Sequence, residues 1–198
     1  MHHLCSSAPA KSSVHWPLRV LALLLALALL GGCRASGPSS PARTVAAFFA
    51  KYRDHPGFRT TEWSADLLQR LALVRAAKLL GGSDLTNAIT GIRTARVLSF
   101  VPTNGGARDL VRDGLGSEVS GLLAAERYTS LAAASGTGAY NYVVKASGDN
   151  VSELVATGGL PDAVGSFVLV QVQGNFTRAQ AEALARVLPE AVRQTTGR

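Results

Sequence analysis

The sequence predicts an α+β domain: an antiparallel sheet, its C-terminal part a meander, with helices packed mainly on one face. Three observations lead there. β-prone runs follow one another closely at Tyr128–Leu131, Ala139–Lys145, Val151–Thr157 and Ser166–Gln173, and such short links suit antiparallel neighbours. Apolar residues at helical spacing occur before and after this cluster. Strands and helices do not alternate strictly, as a parallel sheet would require.

The chain begins with a segment that carries an address rather than a fold. Val20 to Leu30 is an uncharged apolar run of eleven residues, roughly 17 Å long as a helix. A bilayer core is about 30 Å thick, so the run is too short to span it. It has the size of a signal-peptide core, with Lys11 and Arg19 before it and no acid. Leu30-Gly31-Gly32-Cys33 then resembles the lipobox of bacterial lipoproteins. That resemblance implies cleavage before Cys33, diacylglycerol on its sulfur and an acylated new N-terminus. Residues 1–32 are thus expected to leave as a signal peptide. Arg34 rather than Asp follows the cysteine, and no acidic cluster follows. Both point to the periplasmic leaflet of the outer membrane.

Residues 33–43 read as the lipidated cysteine and a polar Pro/Ser/Gly tether. The single domain is expected over 44–189. Thr44 caps a short helix with Val45, Phe48, Phe49 and Tyr52 on one face. Arg53–Gly57 is a turn, because Pro56 forces His55 out of helical geometry. Phe58–Trp63 alternates as a strand. Ser64 caps a second helix, with Leu67, Leu68, Leu71 and Val74 as its stripe and Gly81-Gly82 as its stop. Ile92–Val101 is the best central strand, ended by Pro102 and an Asn104-Gly105-Gly106 turn.

Ala107–Glu126 is helical again, with Val111, Leu115, Val119, Leu122 and Leu123 sharing a face. Gly114, Gly116 and Gly121 each weaken it by up to about 1 kcal/mol against Ala. An interrupted helix is the reading preferred over a close packing contact. Ser135–Gly138 and Ser147–Asn150 are turns within the meander, and Gly158–Asp162 is a loop. Thr177 and Gln180 form a capping box for the last helix. Ala181, Leu184, Val187 and Leu188 are its core face, and Pro189 is expected to end it. Residues 190–198 then remain as a polar tail.

Composition narrows the function. The whole chain carries a formal charge of +7, which falls to +5 once Lys11 and Arg19 leave. The basic residues are scattered among acids, with no stripe of the kind that nucleic acid requires. Cys5 leaves with the signal and Cys33 is acylated, so the folded part holds no thiol. His55 is its only histidine. A Cys nucleophile, a Cys metal site, a two-His zinc site and a Ser-His-Asp triad have little to work with. No cofactor or metal is expected.

Phe48-Phe49-Ala50-Lys51-Tyr52, Gly91-Ile92 before the Val97 strand, Tyr128 with Leu131, Glu153-Leu154-Val155, and Phe167–Gln173 followed by Gly174-Asn175-Phe176-Thr177 together resemble the DUF4252 family of bacterial lipoproteins. The likeness covers about Phe48 to Leu188. It rests on the order of core features. It implies export and lipidation and transfers no chemistry. By analogy with members encoded near extracytoplasmic sigma-factor systems, it also implies an envelope-stress role. The Ala/Arg-rich surface here departs from the acidic, Lys-rich one associated with that family.

Chemical motifs are sparse. Gly136-Thr137-Gly138 starts like a dinucleotide fingerprint, but Asn141 stands at its third glycine, so a hairpin turn is the better reading. Asn150-Val-Ser152 and Asn175-Phe-Thr177 match glycosylation acceptors, which have no meaning in a bacterial lipoprotein. Asp54-His55 is the one acid–imidazole neighbour pair, expected in a solvated turn. Asp84, Asp109 and Asp113 could meet in space, but a cap and a solvated helix face are the preferred reading. Trp63, Tyr140 and Tyr142 either line a groove or pack in the core, and packing is preferred.

The reading that follows is a non-enzymatic, membrane-tethered envelope module that binds a protein partner and no nucleic acid, with an exposed meander edge available for strand addition. The alternatives are a small-molecule or lipid carrier, which needs an apolar cavity, and a hydrolase, which needs carboxylates, or Asp54 and His55, converging in a cleft.

Overall fold

The computed structural model describes residues 40–63, 82–131, 140–160 and 162–196. The chain divides into two units, Met1–Ser40 and Pro41–Arg198, and every element below belongs to the second. The expected helix from Ser64 to Lys78 and the turn Ser135–Gly138 lie outside the described residues, as does Cys33.

Helix α1 spans Val45–Tyr52, with the Thr44 side chain accepting the Ala47 N–H at 3.0 Å. Strand β1 is Phe58–Trp63. Helix α2, Gly82–Gly91, runs straight into β2, Ile92–Phe100. Asn104, expected in a turn, instead caps α3, Gly105–Asp109, by accepting the Ala107 N–H at 2.9 Å. A π-helical turn at Leu110–Leu115 follows, then α4 at Gly116–Ala125. The helix is therefore interrupted, as its glycines suggested. A Cβ on Gly121 would meet nothing within 4 Å, and on Gly114 only Leu110 of the same helix. These glycines mark no close contact with another element. Arg127, at φ 60°, turns the chain out of α4, and the Tyr128 N–H closes on the Leu123 carbonyl at 3.0 Å.

Strands β3 (Thr129–Ser130), β4 (Tyr140–Ser147), β5 (Asn150–Gly158) and β6 (Phe167–Thr177) complete one six-stranded sheet in the order β1-β2-β6-β5-β4-β3. Every pair is antiparallel. The α+β class, the antiparallel sheet and the C-terminal meander stand as read. Phe58 pairs with Phe100 and Phe100 with Phe167, while Ile92 pairs with Gly174 and Asn150 with Thr177. One end of the sheet therefore gathers Phe58, Phe100 and Phe167. The other gathers Trp63, Ile92 and the 147–150 hairpin.

The placement of the helices differs from expectation. They cover both faces of the sheet. Ala95, Val97, Val168, Val170 and Val172 pack on one face with residues of α2 and α5 (Arg178–Thr196). Leu98, Phe100, Phe167 and Leu169 pack on the other with α1 and α4. A strand that is apolar at successive positions, such as Phe167-Val168-Leu169-Val170, needs cover on both sides. An amphipathic helix shows from sequence that it covers a face, but not which one.

The second difference lies at the C-terminus. Helix α5 begins at the expected capping box: the Thr177 N–H donates to Gln180 Oε1 at 2.9 Å and the Gln180 N–H to Thr177 Oγ1 at 3.2 Å. It then continues through Pro189 to Thr196. A proline inside a helix removes one hydrogen bond and costs about 3 kcal/mol. Ala191 and Val192, 4% and 0% exposed, bury apolar surface in the turns beyond it and offset that cost. Residues 190–196 are thus part of the domain and not a polar tail.

Candidate functional site

The polar groups that converge most closely lie between α1 and α4. The two helices run side by side in opposite directions, because Glu126 meets the start of α1 and Glu118 its end. Glu126 Oε1 accepts the Val45 N–H at 2.9 Å, and its Oε2 takes Lys145 Nζ at 3.0 Å. Glu118 accepts Lys51 Nζ at 2.8 and 3.0 Å, the Tyr52 hydroxyl at 2.8 Å and the Ala42 N–H at 2.6 Å. The Lys51 and Glu118 side chains are only 14% and 12% exposed.

Burial opposes ionisation of Glu118. Its hydrogen bonds from Lys51, the Ala42 N–H and Tyr52 outweigh burial and hold its pKa below the ordinary glutamate value. For Tyr52, burial and then the carboxylate beside it raise the pKa. Chemically, Glu118 is saturated: its lone pairs hold the chain together and leave no acceptor for a substrate. Its work is to pin the segment before α1, residues 41–43, onto α4. That segment was expected to be tether.

A prediction arises here. Glu118→Gln keeps the shape and removes the charge, so three charge-assisted bonds weaken. The expected cost at pH 7 is about 2 kcal/mol. A depressed folded pKa gives stability that is fully present above the unfolded value, about 4.3, and lost as pH falls through the folded one. Urea midpoints measured from pH 7 to pH 3 should therefore fall less in the variant than in the parent chain. Parallel acid limbs would show that Glu118 is not linked to stability in this way.

A second cluster lies on the same face of the sheet. Glu153, 8% exposed, accepts Gln171 Nε2 at 2.6 Å, and Gln171 is 2% exposed. The Tyr128 hydroxyl is buried beside that carboxylate without meeting it in hydrogen-bond geometry. Burial first, and then Glu153, push its pKa far above the ordinary tyrosine value. Lys145 Nζ stands 5.5 Å from the Tyr128 ring centre. This group fills the polar part of the sheet face.

The residues singled out from sequence are not brought together. Asp54 is exposed, and His55 packs its ring 5.8 Å from that of Tyr52. Asp109 and Asp113 meet only through Arg112, at 2.9 and 2.8 Å on an exposed helix face. Asp84 sits on α2, across the sheet from them. Trp63, Tyr140 and Tyr142 are 3%, 4% and 2% exposed and pack in the core of the α2/α5 face. Burial and the neighbouring Tyr140 push the Tyr142 hydroxyl up to about 12. The apolar cleft beside Trp63, lined by Ile89, Ile92, Val172, Leu184 and Val187 among others, encloses about 20 Å³. That is room for about one water molecule.

Among the described residues, no three His, Cys, Asp or Glu side chains gather as metal ligands, and no helix is long and apolar enough to cross a membrane. Sequence reading missed Glu118 and Glu126 as organising residues. The available signal was Lys51-Tyr52 at the end of a short amphipathic helix, a cation and a hydroxyl both in reach of one carboxylate.

No curated protein and no solved structure matches the chain. The family profile described as a domain of unknown function, DUF4252, matches residues 52–184, a span that runs from the last residue of α1 into α5 and takes in all six strands. The chain belongs to the DUF4252 family.

Proposed function

We propose that this protein is a lipid-anchored, non-enzymatic binding module of the bacterial cell envelope, held on the periplasmic leaflet of the outer membrane. The observation that carries the reading is Leu30-Gly31-Gly32-Cys33 directly behind an uncharged eleven-residue run. Two or more acyl chains on Cys33 give stable attachment where one chain gives only marginal binding. The fold supports a binding role in two ways. Its convergent carboxylates, Glu118, Glu126 and Glu153, are occupied by internal partners. The apolar cleft beside Trp63, about 20 Å³, is far below the roughly 300 Å³ at which small-molecule pockets begin.

The partner is an envelope protein, and the sheet edges are where it adds. The outer side of β1, six residues long, pairs with no described strand, and β3 with Leu131 reaches Tyr142, Val143 and Val144 of the β4 edge. An extended segment is recognised at such an edge through main-chain hydrogen bonds. The test is crosslinking in native membranes with the tagged protein, using Cys33→Ser as the unanchored control. One discrete envelope protein, captured by the lipidated chain, attached at β1 or β4 and missing from the control, is the expected result. Equal capture by both forms would remove the anchor from the reading, and turnover of an envelope substrate by the purified chain would overturn its non-enzymatic part.

A further inference from the structure

Three observations concern the end of the sheet that gathers Phe58, Phe100 and Phe167. The first is where the chain joins the domain. Val45 is held at Glu126, and Ala42 at Glu118, eight residues earlier on the same helical run. Eight residues of helix span about 12 Å. The segment from Val45 back to Ala42 therefore doubles along α1 towards Tyr52. Tyr52 stacks on Phe58 at 4.7 Å and Phe58 on Phe100 at 4.4 Å. The chain thus reaches the domain on the side of that end.

The second observation is what the end exposes. Val164 is fully exposed, at 100%, and Val101 is 44% exposed. The loops that bear them meet: Phe100 pairs with Phe167, and Pro102 lies against Gly165, whose Cβ position would be 3.9 Å from Pro102 Cγ. Two branched apolar side chains and a proline make the crest of this end.

The third is reach. Nine residue steps separate Cys33 from Ala42, which extend at most about 32 Å. Strand β6 alone, eleven residues, is about 35 Å long. A chain anchored at Cys33 and pinned at Ala42 has the length to bring the near end of the sheet onto a bilayer. The 147–150 hairpin stands farther from Ala42, beyond Glu126 and its partner Lys145, about 12 Å of helix further on.

We infer that the Val101–Pro102–Val164 crest is a membrane-contact surface: with Cys33 in the bilayer, this end of the sheet rests on the lipid and the 147–150 hairpin points away. The inference rests on the anchored reading above. The occupant is a lipid surface because the patch is apolar, small and borne on loops, and because the covalent anchor supplies the affinity that two valines alone do not. It also leaves the outer edges of β1 and β4 standing upright from the membrane.

The mature chain offers a clean test, since Cys5 leaves with the signal and an acylated Cys33 carries no thiol. Full-length Val164→Cys, purified with its anchor and placed in phosphatidylethanolamine/phosphatidylglycerol vesicles, takes a thiol-reactive fluorophore at one position. Asp149→Cys, in the distal hairpin, takes it at another. Both sites are exposed, so neither substitution disturbs the core. Lipids carrying a quencher in their acyl chains should quench the label at 164 several-fold more than the label at 149. Equal quenching at the two sites, or more at 149, in a chain whose Cys33 carries diacylglycerol by mass spectrometry, would overturn the orientation alone. A chain with an unmodified Cys33 would overturn the anchored reading, and this inference with it.

Discussion

Gly174→Ala is expected to destabilise the domain by on the order of 3 kcal/mol or more, at the upper end of what overpacking does. The cause is a backbone crossing. Gly174 pairs with Ile92 at the point where α2 turns into β2. A Cβ on Gly174 would overlap the Gly91 carbonyl oxygen and the ring of Phe176. Neither can move aside. The carbonyl belongs to the α2–β2 junction, and Phe176 is 2% exposed in the core of that face. Gly91 has the reciprocal constraint, since its Cβ would lie 2.8 Å from the Asn175 carbonyl oxygen. Gly121→Ala is the control: it meets nothing within 4 Å and is expected to gain up to about 1 kcal/mol of helix propensity. Chemical denaturation followed by circular dichroism measures both. If the Gly174 and Gly121 variants unfold at the same midpoint as the parent, the two backbones are not this close.

The second large effect is expected at Cys33. Cys33→Ser should abolish incorporation of radiolabelled palmitate, and the precursor, with residues 1–32 still attached, should accumulate. Each buried methylene contributes about 0.8 kcal/mol, and one chain alone binds with a constant of only about 10⁴ M⁻¹. Stable attachment therefore needs the diacylglycerol, and the change is all or none rather than graded. Unchanged palmitate labelling in the variant would place acylation elsewhere or nowhere, and the lipoprotein reading would fall.

Much of the fold was legible because its signals are short-ranged. Thr44 before α1, the Thr177/Gln180 box before α5, the alternation in Phe58–Trp63 and the Ser147–Asn150 hairpin each act over about four to eight residues. Each appears where it was read. Pro189 failed as a stop for the opposite reason. Its local cost was read correctly, and its outcome was decided by Ala191 and Val192 against the sheet.

What the sequence alone determined is the class of the domain, the existence and approximate limits of most described elements, and the pattern over residues 20–33 that makes Cys33 the residue to test. Tertiary structure decided the rest. It placed α1 and α4 on one face of the sheet and α2 and α5 on the other. It assigned Glu118 to partners 76, 67 and 66 positions away, and brought Gly91 against Gly174. The physical reason is one of range. Periodicity, caps and turn residues are properties of neighbouring dihedral angles and can be read locally. Which face a helix covers, which carboxylate finds which donor and where two backbones touch depend on how distant segments share one limited apolar surface. No single segment carries that information.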